Sequence, residues 1–114
     1  MCVFCKIINK EIPSTVVYED EIALAILDIQ PMTPGHTLVI PKQHFETLLD
    51  CDPEYLKEFI VRVQKVTGMV ASKPDVLGTH LFVNNGEAAG QTVPHLHFHI
   101  LPRRANDQLK EHAK

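Results

Sequence analysis

His95-Leu96-His97-Phe98-His99-Ile100-Leu101 alternates three imidazoles with apolar side chains. In an extended chain alternate residues share a face, so the histidines project together and Leu96, Phe98 and Ile100 project oppositely. The apolar side reads as core packing, which places a strand over about 95–101. A buried imidazole needs hydrogen-bond partners, so the histidine side calls for an explanation. Three are open: a solvated polar face; a metal site, since histidines at i and i+2 can grip one ion; or covalent catalysis, with one imidazole as nucleophile and its neighbours orienting it.

Upstream, Asn84-Asn85-Gly86-Glu87-Ala88-Ala89-Gly90-Gln91 is a polar, glycine-bearing loop. Its side-chain amides and backbone N–H groups suit the negative charge that develops on a phosphate. Beside three in-line histidines, that loop favours phosphate chemistry.

Further out, Thr79-His80-Leu81-Phe82-Val83 reads as a strand. Asp52-Pro53 provides an N-cap followed by proline at the first helical position. Leu56, Phe59, Ile60, Val63, Val66 and Val70 then recur at spacings of three or four, which predicts an amphipathic helix limited by Pro74. Thr37-Leu38-Val39-Ile40, Ile22-Ala23-Leu24-Ala25-Ile26-Leu27 and Thr15-Val16-Val17-Tyr18 read as strands, and 4–12 as a short helix ending before Pro13. The expected fold class is α+β: about five strands in a mainly antiparallel sheet, two helices, both on one side. The long helix could support a parallel crossover, which leaves the strand order open.

The chain has 114 residues, 45% of them hydrophobic, enough for one domain with its own core. Its net charge of −3 argues against a protein that holds nucleic acid through a basic surface. No stretch of about 18 apolar residues suggests a membrane span, and 1–6 lack the pattern of a secretory signal. Three cysteines, an odd number, make a disulfide framework a poor reading. A cytoplasmic protein with thiols reduced or metal-bound is expected.

The run Gly90-Gln91-Thr92-Val93-Pro94-His95-Leu96-His97-Phe98-His99-Ile100-Leu101 resembles the signature of the histidine triad (HIT) superfamily. Phe4-Cys5-Lys6-Ile7-Ile8-Asn9-Lys10-Glu11-Ile12-Pro13, Asp28-Ile29-Gln30-Pro31 and Gly35-His36-Thr37-Leu38-Val39-Ile40-Pro41-Lys42 look like further segments in family order. The resemblance covers roughly 2–104 and is strongest to the Hint branch and its bacterial relatives. It implies a HIT-like domain over 1–104 and a polar tail over 105–114.

By that resemblance His97 is the nucleophile toward the α-phosphorus of a purine nucleotide conjugate. A nucleotidyl-histidine forms, and water releases the nucleoside monophosphate. His99 sits against the phosphate, His36 completes the network, and Thr92 assists the leaving group. Asn84, Gly90 and Gln91 hold phosphate oxygens, Asp28 holds the ribose, and Phe4, Ile7, Ile12 and Leu27 line the base pocket. A histidine at 99, where the superfamily's nucleotidyltransferases carry glutamine, points to hydrolysis. Without the resemblance, His36 reads as a loop-end histidine, and Phe4, Ile7, Ile12 and Leu27 as ordinary core.

The resemblance also implies structural zinc on Cys2, Cys5, His44 and His95, with no catalytic metal, and a homodimer joined across a sheet edge. Two other function classes stay open: a zinc-dependent hydrolase using His95, His97 and His99 as ligands, and a regulatory nucleotide binder without turnover. The chain has no tryptophan, so the animal-type preference for phosphoramidates is not carried over. Arg103, Arg104 and Lys110 read as solvated cations.

Overall fold

A computed structural model describes residues 2–107 and 109; Lys110 and most of the expected polar tail lie outside the described residues. The elements are α1 (Val3–Ile8), β1 (Val16–Glu19), β2 (Ala23–Leu27), β3 (Thr37–Pro41), α2 (Pro53–Ala71), β4 (Gly78–Val83) and β5 (Phe98–Arg103). Single 3₁₀ turns at Leu48–Asp50 and Glu87–Ala89 complete the set. All five strands form one antiparallel sheet ordered β1-β2-β3-β5-β4. Both β3 and β4 run antiparallel to β5, hence parallel to each other, and α2 is the crossover between them. The last strand inserts into the gap that this crossover leaves open.

The helix α2 follows its sequence signals closely. The Asp52 carboxylate accepts the Tyr55 N–H at 3.0 Å, Pro53 opens the helix, and Phe59, Val63, Val66 and Val70 are buried. Those side chains pack on the sheet face formed by Ala25, Val39, Leu96, Phe98 and Ile100. Against expectation, α1 does not share that side. Its Phe4 and Ile7 pack on the opposite face, with Leu24, Ile26, Leu38 and Ile40. The continuous apolar runs of β2 and β3 carry the reason: a strand buried on both faces has no polar alternation.

Three boundaries also differ. The first helix ends at Ile8 rather than near Pro13, because Lys10 takes a left-handed φ of 65° that breaks the helical path. The last strand enters the ladder at Phe98, not His95. Before that point the chain turns at Val93–His95, and the Leu96 N–H donates to the Phe45 carbonyl at 2.7 Å. At its far end the strand runs on through Pro102. The neighbouring Arg103 carbonyl accepts from Leu77 on the β4 side, so Pro102's missing N–H faces the other way. Pairing with β3 has stopped there at Ile100, and no ladder bond is lost.

Asp20 ties α2 to the β1–β2 hairpin. One carboxylate oxygen accepts the Ile22 and Ala23 N–H groups, and the other accepts the Tyr18 hydroxyl and Arg62 Nε. Burial alone would raise its pKa; the hydrogen bonds from Tyr18, Arg62, Ala23 and Ile22 outweigh it and hold the carboxyl well below the usual range. The depressed pKa gives stability that is fully present above the unfolded value of about 3.9 and is lost as pH falls through the folded value. Asp20→Ala is expected to cost about 2 kcal/mol, because four donors lose a charged acceptor at a partly exposed site. Calorimetry checks this as a fall in melting temperature of roughly 10 °C.

Candidate active site

The three sequence-predicted histidines do share one side of the sheet, but their rings face different partners. The His97 ring is buried, and its Nδ1 lies 2.7 Å from the His95 carbonyl oxygen. A carbonyl only accepts, so Nδ1 carries the proton and Nε2 of the neutral ring carries the lone pair. The His95 ring is fixed the other way round: Nε2 lies 2.9 Å from the Pro41 carbonyl, which leaves the Nδ1 lone pair toward Cys2 and Cys5. The three imidazoles therefore converge on no common metal, and the three-histidine zinc centre does not form.

His36 and His99 make a second pair. The Met32 N–H donates to His36 Nδ1 at 3.1 Å, so in the neutral ring the proton sits on Nε2. His36 Nε2 is 3.0 Å from His99 Nδ1, which puts the His99 proton on its own Nε2. A backbone amide thus sets two side-chain tautomers in series. The same His36 Nε2 lies 3.6 Å from an Asp28 carboxylate oxygen.

Phe82, the cross-strand neighbour of His99, stacks flat on its ring, with centroids 4.4 Å apart and planes 5° from parallel. Burial lowers the pKa of His97 and of His36. Burial, with His97 and His36 nearby, brings His99 down to about 4. All three rings are neutral at pH 7.

A cavity of about 360 Å³ opens over this side, lined by Phe4, Ile7, Ile12, Leu27, Asp28, Thr92, His97 and His99 among others. Eight sequence-predicted residues therefore meet around one space. His36 stands behind the wall, buried at 2% exposure. Asn84, Gly90 and Gln91 do not line the cavity. The Gln91 carboxamide is already committed to backbone partners, accepting from the Gly86 N–H within its loop and donating to the carbonyls of Glu46 and Val93. Asn84 donates to the Gly90 carbonyl at 3.4 Å, where Gly90 takes a φ of 95°. Phe82, the Met32 amide and the Pro41 carbonyl were not among the expected residues.

On the far side of His95, Cys2, Cys5, His44 and His95 gather their ligand atoms within 4.8 Å of one another. The four sulfur–nitrogen separations are 3.3, 3.7, 3.3 and 3.6 Å. Two ligands on one tetrahedral zinc, with bonds near 2.3 and 2.05 Å, stand about 3.6 Å apart. Donor type, spacing and the free Nδ1 of His95 all fit that ion. A second cluster, Asp28, His36 and His99, fits a cation poorly. The Met32 N–H already occupies His36 Nδ1, so Nε2 holds a proton that a metal would have to displace.

The HIT domain family model matches residues 9–106, which carry this sheet and its histidines. The chain belongs to the HIT family. A HIT-like protein of Methanocaldococcus jannaschii, itself uncharacterized, is 52% identical over 94% of this chain and 82% of its own length. The crystal structure of a HIT family member from Bacillus subtilis superposes with a TM-score of 0.88 at 47% identity, over 92% of this chain and 74% of that one. A zinc-bound histidine triad protein from Mycobacterium smegmatis matches with a TM-score of 0.85 at 44% identity, over 95% and 78%.

Two relatives have names that state an activity. An adenylylsulfatase from Arabidopsis thaliana is 42% identical over 95% of this chain and 55% of its own length. An adenosine 5′-monophosphoramidase from Candida albicans is 38% identical over 90% and 70%. In this HIT chain the thiol cluster and the His97 ring lie on opposite sides of one residue, His95.

Proposed function

We propose that this HIT protein hydrolyses a purine nucleotide conjugate, a phosphoramidate or a related adduct, at its α-phosphate. The observation that carries the reading is the 2.7 Å contact between His97 Nδ1 and the His95 carbonyl, which leaves the Nε2 lone pair for attack at a cavity wall. Nε2 bonds to phosphorus, and the bond to the leaving group breaks with its electron pair going to that group, which takes up a proton from solvent as it departs. Water then attacks phosphorus, the phosphorus–nitrogen bond returns its pair to Nε2, and a nucleoside monophosphate leaves.

The His99 Nε2–H supports the phosphoryl oxygens, with Thr92 near the leaving group; Asn84 and Gly90, hydrogen-bonded to each other outside the cavity wall, brace the loop that leads into Thr92. Gln91 contributes by holding the loop. The Asp28 carboxylate accepts from ribose hydroxyls, with one oxygen already anchored by the Gln30 N–H. Phe4, Ile7, Ile12 and Leu27 give an apolar wall for a flat base. The named activities of the Arabidopsis and Candida relatives, both on adenylate conjugates, support this substrate class.

Incubation with adenosine 5′-phosphoramidate is expected to release AMP with turnover. AMP binding without release of product would replace the hydrolase reading with that of a regulatory binder.

We also infer a structural zinc on Cys2, Cys5, His44 and His95; when bound, it cross-links the N-terminus to the segment that carries the nucleophile. Burying Phe4 and Ile7 gains about 4 kcal/mol, while ordering the first several residues costs at least as much at ~1 kcal/mol each. A cross-link therefore decides whether α1 stays docked. Elemental analysis should find one zinc per chain, and Cys5→Ser should lose it and lower the melting temperature by roughly 10 °C, a loss of ~2 kcal/mol. Full zinc content in Cys5→Ser would contradict the assignment.

The reading includes a cytoplasmic homodimer. Its support is the open edge of β4, where Leu81 is exposed beside Ile60 of α2. A single-chain mass in light scattering would contradict it. Among the described residues, no helix is long and apolar enough to cross a membrane.

A further inference from the structure

Phe4 sits between the two cysteines of the thiol cluster, on the first turn of α1, and is 6% exposed. Its ring meets two of the three histidines edge-on. The centroid lies 4.9 Å from that of His97 at 80° between planes, and 5.8 Å from that of His95 at 77°. His95 is itself divided between two duties. Its Nδ1 points to the thiols, and its carbonyl fixes the proton on His97 Nδ1. The cluster thus reaches the His97 ring by two routes, one through the His95 backbone and one through the Phe4 side chain.

We propose that Phe4 is a positioning residue for His97 and that metal ligation at Cys2 and Cys5 sets it, making nucleotide binding and nucleophile orientation depend on the metal. The inference rests on the hydrolase and zinc readings above and adds to them a coupling between the two sites. Its physical basis is the shortness of α1. Six residues make under two turns, too few to persist on helix propensity alone.

The N-cap of α1 is Cys2, whose sulfur accepts the Cys5 N–H at 3.3 Å, so the same side chain that holds the metal also caps the helix. A helix this short frays without such a tie. When α1 leaves, Val3, Phe4 and Ile7 leave the cavity wall together, and the His97 ring loses its edge-on neighbour. Nothing in this coupling needs the metal to touch substrate.

Two variants and one treatment test it, read out by AMP affinity and by the ¹⁵N shifts of His97, neither of which needs turnover. In the zinc-loaded protein, His97 should show one tautomer, protonated at Nδ1. Removing zinc by chelation should weaken AMP binding by about tenfold to a hundredfold and shift the His97 signals toward a mixture of tautomers. Cys5→Ser should reproduce both changes. Phe4→Leu keeps apolar bulk and should keep its zinc, yet should show the same mixed His97 signals and a kcat lowered by about tenfold.

Chelated protein with unchanged AMP affinity and unchanged His97 signals overturns the coupling while leaving the hydrolase reading intact. Zinc-loaded Phe4→Leu with parent His97 signals and parent kcat overturns the role of Phe4, even if the chelated protein unfolds. A parent protein that binds no zinc overturns both the coupling and the zinc reading. One that binds no AMP overturns the coupling together with the hydrolase reading.

Discussion

His97→Ala is expected to lower kcat/KM for adenosine 5′-phosphoramidate by at least about four orders of magnitude, with AMP binding and melting temperature little changed. Removing a nucleophile deletes both chemical steps at once, since the same Nε2 forms the bond to phosphorus and later releases it. Truncation costs the ring's hydrogen bond to the His95 carbonyl and its edge-on contact with Phe4, while the cavity that the ring lines can admit water in its place. Structural damage should therefore be small beside the catalytic loss. Steady-state kinetics with a thermal melt on the same sample separates the two. A loss below tenfold would contradict His97 as the nucleophile.

The second large effect belongs to His99. His99→Ala should lower kcat by about two to three orders of magnitude with a smaller change in KM, because it removes one preorganised N–H aimed at developing charge. The direction of that N–H is set two residues away in space. The Met32 amide fixes His36, and His36 fixes His99.

The same network predicts the pH profile. Burial lowers His97 and His36, and burial with its histidine neighbours takes His99 to about 4. Each ring protonates only at a pH below its ordinary value of about 6.5. Activity should accordingly stay level from pH 8 to below 6.5, then fall as His97 gains a proton and its lone pair is lost. An acid limb centred at or above 6.5 would contradict the buried, neutral site. His99→Ala with kcat near that of the parent would do the same for its assigned role.

Much of this architecture is legible because it is written in local period. The alternation through His95 and Ile100 separates a polar from an apolar side, and Leu96, Phe98 and Ile100 are indeed in the core under α2. The Asp52-Pro53 start and the three-four spacing of Phe59, Val63, Val66 and Val70 locate α2 to within a residue or two. The placement of α1 on the opposite face was not read, although the unbroken apolar runs of β2 and β3 carried the signal. A run that is apolar at every position needs cover on both sides.

What sequence did not disclose depends on register and on backbone atoms. Phe82 lies opposite His99 because β4 and β5 pair in one register, which no short motif encodes. The Met32 N–H and the Pro41 carbonyl belong to residues whose side chains have no part in the site, so residue type offers no clue to them. Gln91 shows the converse. Its carboxamide looks like a ligand group, yet three backbone partners already satisfy it. The zinc-type ligands are a different case: the family resemblance named all four, although positions 2, 5, 44 and 95 meet only in the fold.

Covalent catalysis requires a transient bond between His97 and the nucleotide. Protein mixed with adenosine 5′-phosphoramidate, quenched in alkali at millisecond intervals and weighed intact, tests it directly, because alkali preserves phosphorus–nitrogen bonds to imidazole. One added adenylate is expected on the parent protein, rising and decaying within a single turnover, and none on His97→Ala. AMP released at the full rate, with no adduct at any interval, would contradict it.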